Sequence, residues 1–260
     1  MTRLNSPAHR GGGHSTLDAA IGTLAADMKM ALFGISDIPL GKRNLKDPRL
    51  DQADKLAEAQ KKTYAQVDLV DAEAIQDAHA ILASSDSRAD LILHDLEFVE
   101  TRLGREPVAA EKAVLEKIRS ALEGEHFVSQ VPLNVEELQA ISAHGFHTHK
   151  PVVVASAEEL ANPDALMLRA FKDCGYICFL TLGGKENRAW PIRVGTTAWE
   201  AAGAIHTDIQ KGFIRAEIIS IDDFMANAGE TGAKRAGKQR LETKNYVVQD
   251  YDVTHFRFNK

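Results

Sequence analysis

Two short apolar runs, MKMALFGI at 28–35 and KPVVVAS at 150–156, constrain this chain most. An apolar stretch of this length without alternation is the mark of a strand buried on both faces, as in a parallel sheet. A third strand is expected at AQVDLVDAE, 65–73, where Val67, Leu69 and Val70 are apolar. Parallel strands need crossover segments, and the sequence supplies helical ones. DPRLDQADKLAEAQKK, 47–62, reads as a helix: Asp47 can cap it, Pro48 suits its first position, and Leu50, Ala53, Leu56 and Ala57 recur at helical spacing. From Ser87 the chain reads as helical, with an apolar stripe of Leu91, Leu93, Leu96, Val99 and Leu103. Gly104 to Pro107 break it, and Ala110, Val114, Leu115, Ile118 and Leu122 resume it. The spacing predicts an αα-hairpin over about 87–123. Asn134 starts a further helix, and ALMLRAFKDC, 165–174, another.

Past residue 175 the rhythm changes. ICFLTLG and RAWPIRV flank GKEN as a hairpin, Thr196 or Thr197 caps a helix over AWEAAGAIH, and FIRAEIIS reads as a strand. IDDFMANAG reads as a short helix, and YVVQD and DVTHFRFN as closing strands parted by a turn at Tyr251. Mixed strands around one helix make an α+β unit. The expected organisation is a flexible extension over 1–28, an α/β region over 29–175 and the α+β unit over 176–260.

Charge is uneven. Residues 176–260 carry twelve Lys/Arg against ten Asp/Glu, while 1–175 carry nineteen against twenty-seven, a net of −8. A weakly basic unit on an acidic body permits nucleic-acid contact without requiring it. No apolar run approaches the roughly 20 residues of a membrane span, so no membrane contact is expected. Cys174 and Cys178 suit a reducing cytoplasm and are expected to be buried thiols rather than a redox or zinc pair.

The C-terminal stretch carries RAW-IR-GTTA, AAG-IHTD, KGFIRAEII, DDF, GAKRAGK-R and YVVQD-DV-HFRF. In these it closely resembles the TGS domain of YchF-type translation-factor NTPases, which are related to Obg. Upstream, MKMALFG resembles the first strand of that family's G domain, and DPRLD with KLAE the segment after its first switch. AQVDLVD resembles its Asp-bearing strand, DLEFVETRL its helical insertion, and KPVVVASAEE its base-recognition loop. The resemblance implies a P-loop-like parallel sheet, truncated by deletions and carrying a helical hairpin insertion, followed by a ubiquitin-like β-grasp domain.

It also implies a nucleotide site that has decayed. A phosphate loop needs G-x-x-x-x-G-K-S/T between a strand and a helix, so that backbone N–H groups wrap the phosphates and the hydroxyl holds Mg²⁺. Gly41 and Lys42 read as survivors of it, but Gly34 stands two residues too far upstream, Pro39 stiffens the loop and Arg43 replaces the hydroxyl. The family's D-x-A-G becomes Asp71-Ala72-Glu73-Ala74, without the glycine. In the base-recognition loop Ser156 stands at the Asn position and Glu159 at the Glu position. Gly13 to Leu17, GHSTL, imitate a phosphate loop but precede the first strand. Gly41, Lys42, Asp71, Ser156 and Glu159 are thus expected to form a vestigial nucleotide site with no catalytic residue and no cofactor.

Lys211, Arg215, Lys234, Arg235, Lys238, Arg240 and Lys244 are the candidate nucleic-acid contacts, with GETGAKRAGKQR as a basic loop whose small residues let a phosphate chain approach. Tyr246 and His255 offer stacking surfaces, whereas Phe256 and Phe258 alternate as core residues and Trp190 and Trp199 as core or rim. His144, His147 and His149 crowd one connection, but no Cys or carboxylate stands at ligand spacing beside them, so no metal site is expected. The functional expectation is a non-catalytic protein that binds the ribosome or RNA in the cytoplasm. The alternative is a nucleotide-binding regulatory switch built on Lys42, Asp71 and Glu159. Self-association, or pairing with a full-length relative, is a third possibility.

Overall fold

A computed structural model describes residues 28–259. The expected extension, with its GHSTL motif, lies outside the described residues except for Met28, which opens the first strand and is buried. In chain order the first half runs β1 (Met28–Phe33), β2 (Gly41–Asn44), α1 (Pro48–Leu56), β3 (Ala59–Thr63), β4 (Gln66–Val70), β5 (Ala80–Ser84), α2 (Arg88–Leu103), α3 (Ala109–Glu123), α4 (Val135–Ala140), β6 (Val152–Ala155), α5 (Ala157–Leu160) and α6 (Pro163–Asp173). The second half continues with β7 (Tyr176–Thr181), β8 (Gly184–Arg193), α7 (Ala198–Ile205), α8 (Thr207–Lys211), β9 (Phe213–Ile219), α9 (Ile221–Ala226), α10 (Glu230–Arg235), β10 (Arg240–Glu242) and β11 (Val253–Phe258).

The first sheet has the order β2-β4-β1-β5-β6 and is parallel except for β2. The three expected apolar runs become β1, β4 and β6. β5 is not among the expected strands, although AILAS is buried at every residue and carries the same continuous apolar signal. Between α2 and α3, Val99, Val114, Leu115 and Ile118 form a separate core as the hairpin pattern predicts, but Leu93 of the expected stripe faces solvent.

The second sheet has the order β10-β9-β11-β7-β8-β3, with α7 packed on one face. Ala198, Ala201 and Ala202 lie against Phe179, Ile218 and Phe256, and the small alanines let the helix approach the strands closely. The β7–β8 hairpin turns at Leu182–Gly183, so GKEN belongs to β8. YVVQD is not a strand: it makes one bridge, from Val247 to Thr197, and the edge strand is β10 instead. Asp252 explains this local fold, because its carboxylate accepts the Gln249 N–H at 2.9 Å and the Tyr246 hydroxyl at 2.8 Å, curling the segment into turns. The expected basic loop contains α10.

Ala59–Lys62, expected to end the first helix, instead belong to β3, which pairs in parallel with β8. Asn187 of β8 donates to the Ala57 carbonyl at 2.7 Å and to Asp54 at 2.8 Å, occupying groups at the helix end. This crossing joins the halves. One continuous apolar core runs from Met28 and Leu50 to Phe224 and Val253, so the two expected units share an interior.

Candidate functional site

In open parallel sheets, ligands bind beyond the carboxyl ends of the strands. Here that edge is formed by the segments after β1, β4, β5 and β6. Residues 34–40 follow β1 as a loop that leads into β2, with no helix N-terminus to meet a phosphate. Gly34 has φ +65°, and a Cβ built on it would fall 1.8 Å from Ser87 Oγ and 2.8 Å from Ser84 Oγ. The space beside the first strand is therefore filled by Ser84, which ends β5, and Ser87, which precedes α2, joined Oγ to Oγ at 3.0 Å.

The five residues of the expected vestigial site have other local roles. Gly41 and Lys42 lie in β2, where Lys42 stands opposite Asp68 in register. Their backbone is extended along the antiparallel ladder with β4 rather than curled as a phosphate loop would be. Asp71 caps a 3₁₀ turn, accepting the Ala74 N–H at 3.1 Å. Ser156 and Glu159 form a capping box on α5: Ser156 N–H donates to Glu159 Oε2 at 3.0 Å, and Glu159 N–H to Ser156 Oγ at 3.3 Å. The Ser156 amide holds Glu159's carboxyl below the usual range, and the Arg169 guanidinium, 2.8 Å from Glu159, adds to this. The spacing S-x-x-E signals a capping box by itself. Asp37, Asp71, Glu73, Asp86 and Glu158 are exposed along this edge, a field that opposes a polyphosphate. Arg88, just past β5, is engaged by Glu125 at 3.2 Å and lies over the Phe127 ring.

All seven basic candidates are exposed, but they do not share one face. Lys211 ends α8, Lys234 and Arg235 are on α10, Lys238 follows it, and Lys244 lies in a turn whose carbonyl accepts the Trp199 N–H. Arg215 projects from the open face of β9, while Arg240 pairs opposite Ile218 on the α7 side. Lys234 is 2.5 Å from Glu230 and Lys238 is 3.2 Å from Asp223. Arg240 donates to the Tyr246 hydroxyl at 3.0 Å, and burial together with Asp252 pushes that phenol up to about 12. Tyr246 is thus tied down on its polar end, His255 is exposed, Phe256 is core, and Phe258, expected in the core, is exposed. Trp190 packs on Phe179, whereas Trp199 is 44% exposed. Both cysteines are buried free thiols, and desolvation raises both pKa values, Cys174 to about 12.

Two constellations escape a linear reading because they join distant segments. Arg49 grips Asp47 at 2.7 Å and Asp250 at 2.9 Å, and its guanidinium lies 3.8 Å from the centroid of the Tyr251 ring. It holds α1 against the second half. Farther away, the His144–His149 connection is pinned to α2 by Asp95, a carboxylate 1% exposed. Asp95 accepts the N–H groups of His147 at 2.9 Å and Thr148 at 2.8 Å, and the Thr148 hydroxyl at 2.7 Å. His144 instead meets Glu111 at 2.9 Å, beside Arg102.

The family model YchF-GTPase_C, described as "Protein of unknown function (DUF933)", matches residues 176–259. The chain is 34% identical over 232 residues to the Ribosome-binding ATPase YchF of Pasteurella multocida, covering 65% of this chain and 64% of that relative. It is 59% identical over 81 residues to the protein of that name from Escherichia coli O157:H7, covering 31% of this chain and 22% of that one. This chain therefore spans less than two thirds of these relatives. The structure of the Schizosaccharomyces pombe YchF GTPase superposes with a TM-score of 0.69 at 17% identity, over 90% of this chain and 100% of that one. Residues 176–259 thus match the C-terminal domain of YchF-type proteins, the chain is similar along 65% of its length to Ribosome-binding ATPase YchF, and its fold is that of the YchF GTPase structure.

Proposed function

We propose that this protein is a non-catalytic member of the YchF-type family that binds the ribosome in the cytoplasm, with its C-terminal unit acting as a TGS-type recognition module. The observation that carries the reading is a contrast between the halves. The sheet edge where a nucleotide would lie has Ser84 and Ser87 packed on Gly34 and an acidic rim, and its expected ligands cap their own turns. The C-terminal unit matches the YchF C-terminal family model and presents all seven candidate cations at its surface. Lysine and arginine on a phosphate chain release counterions, so such binding weakens steeply with salt. The names of the relatives supply the partner, the ribosome; contact with its RNA phosphates is the chemistry the cations suit.

The α10 cluster tests this. Lys234→Glu, Arg235→Glu and Lys238→Glu together are expected to abolish co-sedimentation with ribosomes at low salt while leaving the circular dichroism spectrum unchanged. Unaltered co-sedimentation would remove α10 from the interface and defeat the reading.

A further inference from the structure

We infer that His94, Asp95 and His147 form a binding site for one divalent transition-metal ion of the zinc class. One donor atom from each lies within 4.8 Å of the others. The imidazoles of His94 and His147 are stacked, with centroids 3.9 Å apart and planes at 14°. Asp95 Oδ1 is 3.9 Å from His94 Nδ1. The three residues come from two separate segments, helix α2 and the connection that leads into β6, and this is why spacing in the sequence does not show them as a set.

The hydrogen bonding leaves the donors open in the right places. Asp95 Oδ2 accepts two bonds, from the Thr148 N–H and hydroxyl, and is thereby filled. Oδ1 accepts only the His147 N–H, so a lone pair remains on the oxygen that faces His94. His147 Nδ1 is buried and has no hydrogen-bond partner. A buried ring nitrogen left unpaired costs free energy, and native structures rarely tolerate one without an ion or water. Two imidazoles and one carboxylate are a zinc-type donor set with a fourth position left for water.

The framework is also rigid where a site needs rigidity. Thr148 Oγ1 accepts the Val128 N–H at 3.0 Å while donating to Asp95, the kind of outer contact that orients a metal-binding carboxylate. On the other side of the connection, Gln76 Nε2 donates to the Gly145 carbonyl at 2.8 Å and Lys150 Nζ to the Gln76 carbonyl at 2.5 Å. Asp95 and His147 are therefore held in place. His94, with a side chain 56% exposed, is the ring free to turn. Tetrahedral zinc sets its donors roughly 3.3 Å apart, so rotation of His94 closes the set. The ion would fasten the α2–α3 hairpin to the segment before β6. This is a role independent of ribosome contact, since none of the three residues belongs to the C-terminal unit.

The test is calorimetric titration of the full chain, stripped with EDTA and dialysed, with zinc chloride. One ion per chain with a micromolar or tighter Kd is expected. His94→Ala and His147→Ala should each weaken it by at least about tenfold. His206→Ala, which removes an imidazole 3.4 Å from Asp208 on the other half, should leave it unchanged. Because His94 is exposed, its alanine variant keeps the fold, and circular dichroism verifies this. Co(II) in place of zinc should give the visible absorption of a four-coordinate site, lost in His94→Ala. Absence of zinc binding at hundred-micromolar concentration overturns the proposal. So does binding that survives His94→Ala, which would place the ion elsewhere.

Discussion

Replacing Arg49 with methionine tests how the two halves are held together. The methionine keeps the apolar stem and removes the guanidinium. Asp47, 4% exposed, would lose its bidentate partner and keep only the Arg49 amide, at 2.9 Å. Asp250 would keep Lys172, at 3.5 Å. Stranding one member of a fully buried pair costs about 3–5 kcal/mol. Here the Arg49 side chain is 29% exposed, so the lower part of that range applies. Loss of the cation over Tyr251 adds about 0.5–1 kcal/mol. The expected destabilisation is therefore about 3.5–4 kcal/mol, or roughly 7–16 °C in Tm for a protein of this size. Burial works to raise the Asp47 pKa, but the hydrogen bonds and charge of Arg49 outweigh it and the net shift is downward. A depressed carboxyl stabilises above its unfolded pKa, near 4, and the benefit is lost as pH falls through the folded value. The gap between wild type and Arg49→Met is thus full at pH 7 and narrows below pH 4. Arg49→Lys, which keeps charge but not the fork, should fall between the two. Thermal unfolding across pH reads all three proteins. A Tm loss under about 2 °C at pH 7, or a gap that does not shrink in acid, refutes the clasp.

Two further outcomes follow from the sheet edge. Gly34→Ala puts a methyl group 1.8 Å from Ser87 Oγ at φ +65°, and should cost about 2–3 kcal/mol in urea unfolding. Adding Ser87→Ala removes the Oγ contact but leaves Ser87 Cβ at 2.5 Å, Ser84 Oγ at 2.8 Å and the backbone strain, so it should recover only a small part of that loss. Calorimetric titration with ATP and with GTP in Mg²⁺ should give no heat; micromolar binding abolished by Lys42→Ala would instead establish a rebuilt pocket.

What was legible in the sequence followed from local periodicity. β1, β4 and β6 and the α2–α3 hairpin are written in apolar runs and stripes, and Asn134 and Thr197 announce their helices by capping. Errors arose where a distant partner decides. Ala59–Lys62 have helical neighbours upstream, but β8 recruits them as a strand. The Ser156–Glu159 spacing fits a base-recognition loop and a capping box equally, and only the folded chain shows the reciprocal bonds. Asp95 is one of four carboxylates that the sequence places on α2, and nothing local marks it as the buried one that gathers His147 and Thr148. The basic positions were identifiable by composition, whereas their division between the two sides of the second sheet depends on strand register.

The measurement that bears most directly on the proposed role is co-sedimentation of the full chain with purified ribosomes at low salt, run without nucleotide and with ATP or GTP and Mg²⁺. The account predicts that the protein pellets with ribosomes equally in all three conditions and is released as salt rises. Protein that stays in the supernatant, or pellets only when a nucleotide is supplied, would contradict it.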